Sequence, residues 1–335
     1  MKKEYLILIV LIAALSAYLF LKKDNQVHYE LPVPAALETA DITRVDITKN
    51  NTTITLTRGE ENWTVAEAGY PVDKSAVDRM LDALKEVKLS ALVSEAGDLV
   101  RYDLDPENGV TVTAFGKNKD KAVRRLIVGK AAPSFNHTFI MLDDGKSVYQ
   151  ADGSFRNDFD KTVDDFRDKV VMDFQTEGIK QITLSKAGVT RTLVFKEEAV
   201  DKEAVKKEDN EETAADAGTP EGKWQFEDGT EADNTVAGDL LSSLSHLEAQ
   251  NFLADDAAAA MKADTPVCRI SLKNDGDLGV DLFEQKGGED TALAGLSTVV
   301  PYAFTLASYK TEDILSYVDK LLGIEAKEET EAVKD

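Results

Sequence analysis

The chain has 335 residues and a net charge of −23, from 62 acidic against 39 basic side chains. Nucleic-acid affinity comes from neutralising phosphates, so this balance argues against a nucleic-acid partner and against flat adhesion to anionic lipid. A single cysteine, Cys268, rules out a fold stapled by internal disulfides.

The chain opens with an uncharged apolar run, Tyr5 to Leu21, between Lys2-Lys3 and Lys22-Lys23. Its length is at the short edge of the roughly 20 residues that cross a hydrocarbon core as a helix. A cleaved signal peptide would end in small residues. Here Ala14 and Ala17 are followed by Tyr18, Leu19, Phe20 and Leu21, so residues 1–23 read as an uncleaved transmembrane signal anchor. The free amino terminus and Asp24 favour a cytoplasmic N-terminus, because the flanking lysines balance. The chain is then expected to cross the cytoplasmic membrane once, with its body outside the cytoplasm. Residues 24–41, with Pro32 and Pro34, read as an extended tether.

The body is written twice. Ile42 to Lys49 aligns without gaps with Ile179 to Lys186, both with period-2 alternation. A turn follows each (Asn50-Asn51, Ala187-Gly188), then an alternating strand (Thr53–Thr57, Thr190–Val194). A tryptophan strand comes next, at Trp63 and Trp224, completing a three-stranded antiparallel meander. Asp73 and Asp233 then stand as N-caps of amphipathic helices. Ala76, Met80, Leu81, Leu84 and Val87 in the first match Val236, Leu240, Leu241, Leu244 and Leu247 in the second. After an apolar segment at Leu92-Val93 or Phe252-Leu253, four more strands are expected per copy. They are Val110–Phe115, Val123–Val128, Thr138–Leu142 and Ser147–Gln150 in the first. In the second they are Val267–Lys273, Gly279–Gln285, Thr291–Leu296 and Tyr302–Leu306. A closing helix ends each copy, with Val163, Phe166 and Val170 matching Ile314, Tyr317 and Leu321. The predicted class is α+β: two tandem, similar, β-rich domains with two helices each, at 42–172 and 179–323. The boundary falls near Val170 to Gly178. The second copy carries a charged insertion in its hairpin, Glu197 to Gly222, expected to be disordered, and so is the tail 324–335.

Chemistry-bearing residues are few. His28, His137 and His246 have no metal-ligand spacing. Cys268 lies in an apolar alternation and reads as a buried strand residue. Asp143-Asp144-Gly145 and Gly287-Gly288 read as hairpin turns, and the N-x-T tripeptides at Asn51, Asn62 and Asn136 carry no inference. Asp98, Asp103 and Asp105 are close enough to cluster for acid/base work or calcium. The favoured reading is a solvated loop with Leu99, Tyr102 and Leu104 packing inward. Arg167-Asp168 reads as a helix-end ion pair. No catalytic, cofactor-binding or metal-ligating residue is nominated, and no enzyme activity is expected.

Several segments together carry a resemblance: Tyr70-Pro71-Val72-Asp73, the run Asp98 to Pro106, Leu126-Ile127-Val128-Gly129, and Phe166-Arg167-Asp168-Lys169. With the anchor and the Trp63 meander, the chain resembles the bacterial family catalogued as domain of unknown function 4340. The resemblance implies an internally duplicated, membrane-anchored protein, found beside ABC-transporter components of the gliding-motility type. It brings no catalytic residues with it. The second copy departs in having Thr230-Glu231-Ala232 where the first has its Tyr-Pro opening. The expected function is a membrane-anchored extracytoplasmic accessory or scaffold, a non-catalytic partner of an ABC-transporter-like assembly with protein partners in an inner-membrane complex. An envelope ligand (glycan or peptide) binding module is the alternative, and a carboxylate-dependent hydrolase is third in order.

Overall fold

The computed structural model describes residue 12 and residues 30–117, 121–142, 145–197, 222–274, 276–285 and 293–324. The anchor run (Ile12 apart), His28, Asp143-Asp144, Gly287-Gly288, the interior of the hairpin insertion and the C-terminal tail lie outside the described residues. No helix among the described residues is long and apolar enough to cross a membrane. The chain divides into two compact units between Phe166 and Arg167.

The first unit begins with the predicted meander: β1 (Arg44–Lys49), β2 (Thr52–Arg58) and β3 (Trp63–Val65). Its hairpin turns tightly because Asn50 and Asn51 both take positive φ, 49° and 61°, a conformation asparagine tolerates. In-register pairing sets Val45 against Leu56 and Ile47 against Ile54. A short β4 (Tyr70–Pro71) precedes α1 (Lys74–Lys85), where the Asp73 carboxylate accepts the Ala76 N–H at 2.9 Å. The α1 stripe of Ala76, Val77, Met80, Leu81 and Leu84 is buried in one core with Val45, Leu56, Val112 and Leu126. The remaining strands are β5 (Leu89–Ser94), β6 (Val110–Phe115), β7 (Ala122–Ala131), β8 (His137–Leu142) and β9 (Val148–Asp152). All pair antiparallel in the order β4-β3-β2-β1-β6-β7-β8-β9-β5. The apolar segment after α1 is thus an edge strand.

Two expectations for this unit are corrected. Residues 30–41 are not a free tether. Leu37 is buried in the core, Leu31 packs against it, the Ala35 carbonyl accepts from the Arg124 guanidinium, and Thr39–Asp41 forms a 3-10 turn. Nor is there one closing helix. Instead α2 (Phe155–Phe159) and a single turn α3 (Val163–Phe166) follow one another. The break has a local cause: Thr162 and Asp165 form a reciprocal capping box, with N–H to carboxylate at 2.9 Å and N–H to hydroxyl at 3.3 Å, which starts a new helix.

In the second unit β10 (Val170–Asp173) pairs antiparallel with β14 (His246–Glu248). That pairing draws Val170–Asp173 into the second unit and out of the first copy's expected closing helix. The chain therefore divides ahead of the expected boundary. The main sheet uses β11 (Gln181–Lys186), β12 (Val189–Glu197), β13 (Gly222–Phe226), β15 (Asn251–Phe252), β16 (Cys268–Lys273), β17 (Asp277–Glu284), β18 (Leu293–Ser297) and β19 (Ala303–Thr305). Their order is β13-β12-β11-β16-β17-β18-β19-β15, all antiparallel. The helices are α4 (Asn234–Ser245), the short α5 (Ala257–Met261) and α6 (Ser308–Leu322). Asp233 caps α4 by accepting from Thr235 and Val236, and Gly323, at φ 71°, ends α6. Leu240, Leu241 and Leu244 of α4 join Ile314, Val318 and Leu321 of α6 in a core with Ile182, Leu184, Ile270 and Leu272. Two helices thus cover one sheet face. The described fold is mixed α and β, strand-rich and antiparallel.

Candidate functional site: an open groove on the second sheet

Strand alternation sends Cys268, Ile270 and Leu272 to the buried face and Arg269, Ser271 and Lys273 to the other. Register then aligns three cross-strand rows. Arg269 faces Asp281, Ser271 faces Gly279, and Lys273 faces Asp277. On the opposite flank, Ser185, Thr183 and Gln181 of β11 pair with the same three positions. The Arg269 guanidinium meets Asp281 in a two-point ion pair, at 2.8 and 2.9 Å. The hydrogen bonds to that carboxylate, and its charge, raise the Arg269 pKa further.

Residues 297–301 fold back as a wall. The Gly279 N–H donates to the Thr298 hydroxyl at 2.9 Å, and the Thr298 N–H donates to the Gly279 carbonyl at 3.0 Å. A side chain at 279 would press on the Ile270 carbonyl, 3.0 Å from an added Cβ, so glycine permits this close approach. The Ser297 hydroxyl donates to the Val171 carbonyl at 2.6 Å and ties the wall to β10. The result is an open groove of about 880 Å³, with Leu278, Leu296 and Val299 as apolar lining and Lys262 at its margin. On its floor Arg269 is paired with Asp281, and Lys273 stands in register opposite Asp277. The thiol of Cys268 lies on the other face, where burial pushes its pKa up to about 12.

The residues singled out from sequence lie elsewhere. Asp98 is exposed, Asp103 caps a 3-10 turn with φ 55°, and Asp105 is buried. The Asp105 carboxylate accepts from the Glu107 and Asn108 N–H groups and from the Asn108 amide, at 3.1 to 3.3 Å. These carboxylates shape a turn and do not converge on a shared site. Leu99, Tyr102 and Leu104 pack with Phe139 and Met141, as expected of a loop folding onto the sheet. Among the described residues no group of three or more His, Cys, Asp or Glu side chains is placed to hold a metal. His246 ends α4 and faces Asp173 and Glu248, at 3.6 and 3.5 Å. Arg167 and Asp168, read as a helix-end ion pair, each meet a further partner. The Arg167 guanidinium sits 3.5 Å from the Phe252 ring centroid, and the Asp168 carboxylate accepts the Val170 N–H.

Sequence reading missed two arrangements. One is the groove: alternation in Cys268–Lys273 was legible, but its pairing with Asp277 and Asp281 depends on register. The other is a chain of polar contacts, Ser134 Oγ to His137 Nδ1 at 2.7 Å and His137 Nε2 to Asp152 at 3.2 Å. It spans the β7–β8 hairpin tip, where Phe135 holds a positive φ of 61° and Ser134 is exposed. The contacts brace that strained turn.

A strand-rich, antiparallel α and β protein with an open groove on one sheet face is the class these features define. The family model described as Domain of unknown function (DUF4340) matches residues 63–266, more than half of the chain, and the chain belongs to that family. No curated protein and no solved structure matches it.

Proposed function

We propose that this chain is a membrane-anchored, extracytoplasmic accessory protein that holds a partner within an ABC-transporter-like assembly and transforms no substrate. The observation that carries the reading is the groove over Arg269, Ser271 and Lys273: about 880 Å³ of open sheet face in which Arg269 is held by Asp281. The anchor is Tyr5 to Leu21. The two units are read as tandem copies, on the strength of the shared strand order and the aspartate caps at Asp73 and Asp233. Full-length protein purified in mild detergent is expected to bring a membrane partner with it. Ser271→Trp, which fills the groove without touching the core, is expected to lose that partner. Wild-type protein eluting alone, under conditions that keep other membrane complexes intact, overturns the reading.

A second reading has its own support. Hydroxyl and amide groups of Gln181, Thr183 and Ser271 lie beside apolar Leu278 and Leu296, a lining suited to a glycan or an extended peptide. Saturable thermal stabilisation of the full chain by such an envelope component supports it.

A further inference from the structure

A separate cavity of about 360 Å³ lies in the second unit where α4 meets the meander. Its walls are Trp224, Phe195, Ile179 and Leu241, with Phe195 and Trp224 edge to face at 5.3 Å between centroids. Gly238 and Glu177 line it too, and both are exposed.

Gly238 is the telling residue. It stands inside α4, where glycine destabilises a helix relative to alanine. A packed neighbour would explain it, but an added Cβ at 238 meets nothing within 4 Å. Nothing in the described chain requires glycine there, and the space it leaves opens the cavity.

The first unit has a cavity beside its own tryptophan, lined by Arg58, Glu61, Lys74 and Asp78. There Arg58 is the cross-strand partner of Trp63, with its guanidinium 5.0 Å from the indole. In the second unit the cross-strand partner of Trp224 is Phe195. The second cavity thus sets aromatic and aliphatic walls beside the hydroxyl residues Thr176, Ser242 and Ser245, where the first is lined by several charges. Its one charged lining residue is Glu177, so a bound group that carries a cation would complement it.

We propose that this cavity is a binding site for an aromatic cation: a ring between Trp224 and Leu241, with an ammonium group towards Glu177. This site is distinct from the groove and does not rest on the accessory reading. The ring could arrive on a free amine or on a Phe-Lys segment of a protein, and both share this chemistry.

The test uses full-length protein in lipid nanodiscs carrying Trp63→Phe, so that emission reports on Trp224. Phenethylamine is expected to change that emission saturably, and phenylacetate to bind about tenfold more weakly or worse. Gly238→Leu fills the opening and is expected to weaken phenethylamine by more than about tenfold, while the melting temperature holds or rises. Glu177→Gln is expected to abolish the preference for amine over acid. A peptide amide, Ala-Lys-Phe-Lys-Ala, identifies the source: tighter binding than phenethylamine assigns a protein ligand, weaker binding a free one, and either supports the site. No saturable change with the amine or the peptide overturns the proposal, as does unaltered binding in Gly238→Leu. A cation preference that survives Glu177→Gln overturns the assigned ligand class.

Discussion

Arg167 is a cation that the fold has taken almost wholly from water, at 5% exposure, and placed against two rings. Its guanidinium lies 3.5 Å from the Phe252 centroid and 4.7 Å from that of Tyr302. Arg167→Met keeps the length and removes the charge. It should cost the second unit about 2 kcal/mol, the worth of a desolvated cation–π contact. Urea unfolding checks this, and an unchanged midpoint would refute the energetic role. Asp105 makes a pH-dependent contribution to the first unit. The Asn108 side-chain amide first, and then the backbone N–H groups of Glu107 and Asn108, outweigh desolvation and hold its carboxyl below the ordinary value. A depressed folded-state pKa stabilises above the unfolded-state value, and the benefit disappears as pH falls through the folded-state value. Wild-type protein should therefore lose more stability than Asp105→Asn on acidification below about pH 4. Parallel pH–stability curves for the two proteins would contradict this.

At the scale of elements, glycine decides where one segment can lie on another. The loop carrying Tyr102 and Leu104 descends onto β7 at Gly129, where an added Cβ would collide with the Tyr102 carbonyl and come within 3.0 Å of the Leu104 side chain. The partner is backbone on one side and a buried leucine on the other, so neither yields easily. Gly129→Ala is expected to destabilise the first unit by about 1–3 kcal/mol, the usual cost of overpacking. It should also free the loop to faster amide hydrogen exchange. Native exchange in that loop would show that the contact relaxes cheaply. These elements were read correctly from sequence as a loop with inward apolar residues. The close approach at Gly129 was not, because nothing local distinguishes this glycine from one in a turn.

For the whole molecule, the docked segment at residues 30–41 bears on the proposal that Tyr5 to Leu21 is an anchor. Leu31 packed against the core, Leu37 within it and the Arg124 contact to Ala35 leave nine residues, 22–30, between Leu21 and the docked segment. On the accessory reading, position at the membrane is the functional asset. Exchanging residues 1–23 for a cleavable export signal should then release a folded body that fails to support function in cells. Full function from the released form would show the anchor to be dispensable.

The sequence by itself determined the two meanders, the helices α1, α4 and α6, the aspartate caps of the first two, and the inward and outward alternation along the meander strands. These follow from periods of 2 and 3.6 and from groups a few residues apart, all within contiguous stretches. It also carried enough short motifs to identify the family. Only the tertiary structure decided that Val170–Asp173 pairs with His246–Glu248, and that Arg167 lies against Phe252 and Tyr302. It alone set Arg269 opposite Asp281 beneath the Thr298 wall, and left a cavity between Trp224 and Gly238. Each joins residues from separate segments through register, turn closure and steric fit. Those depend on the whole packed unit, so no local window of the chain could express them.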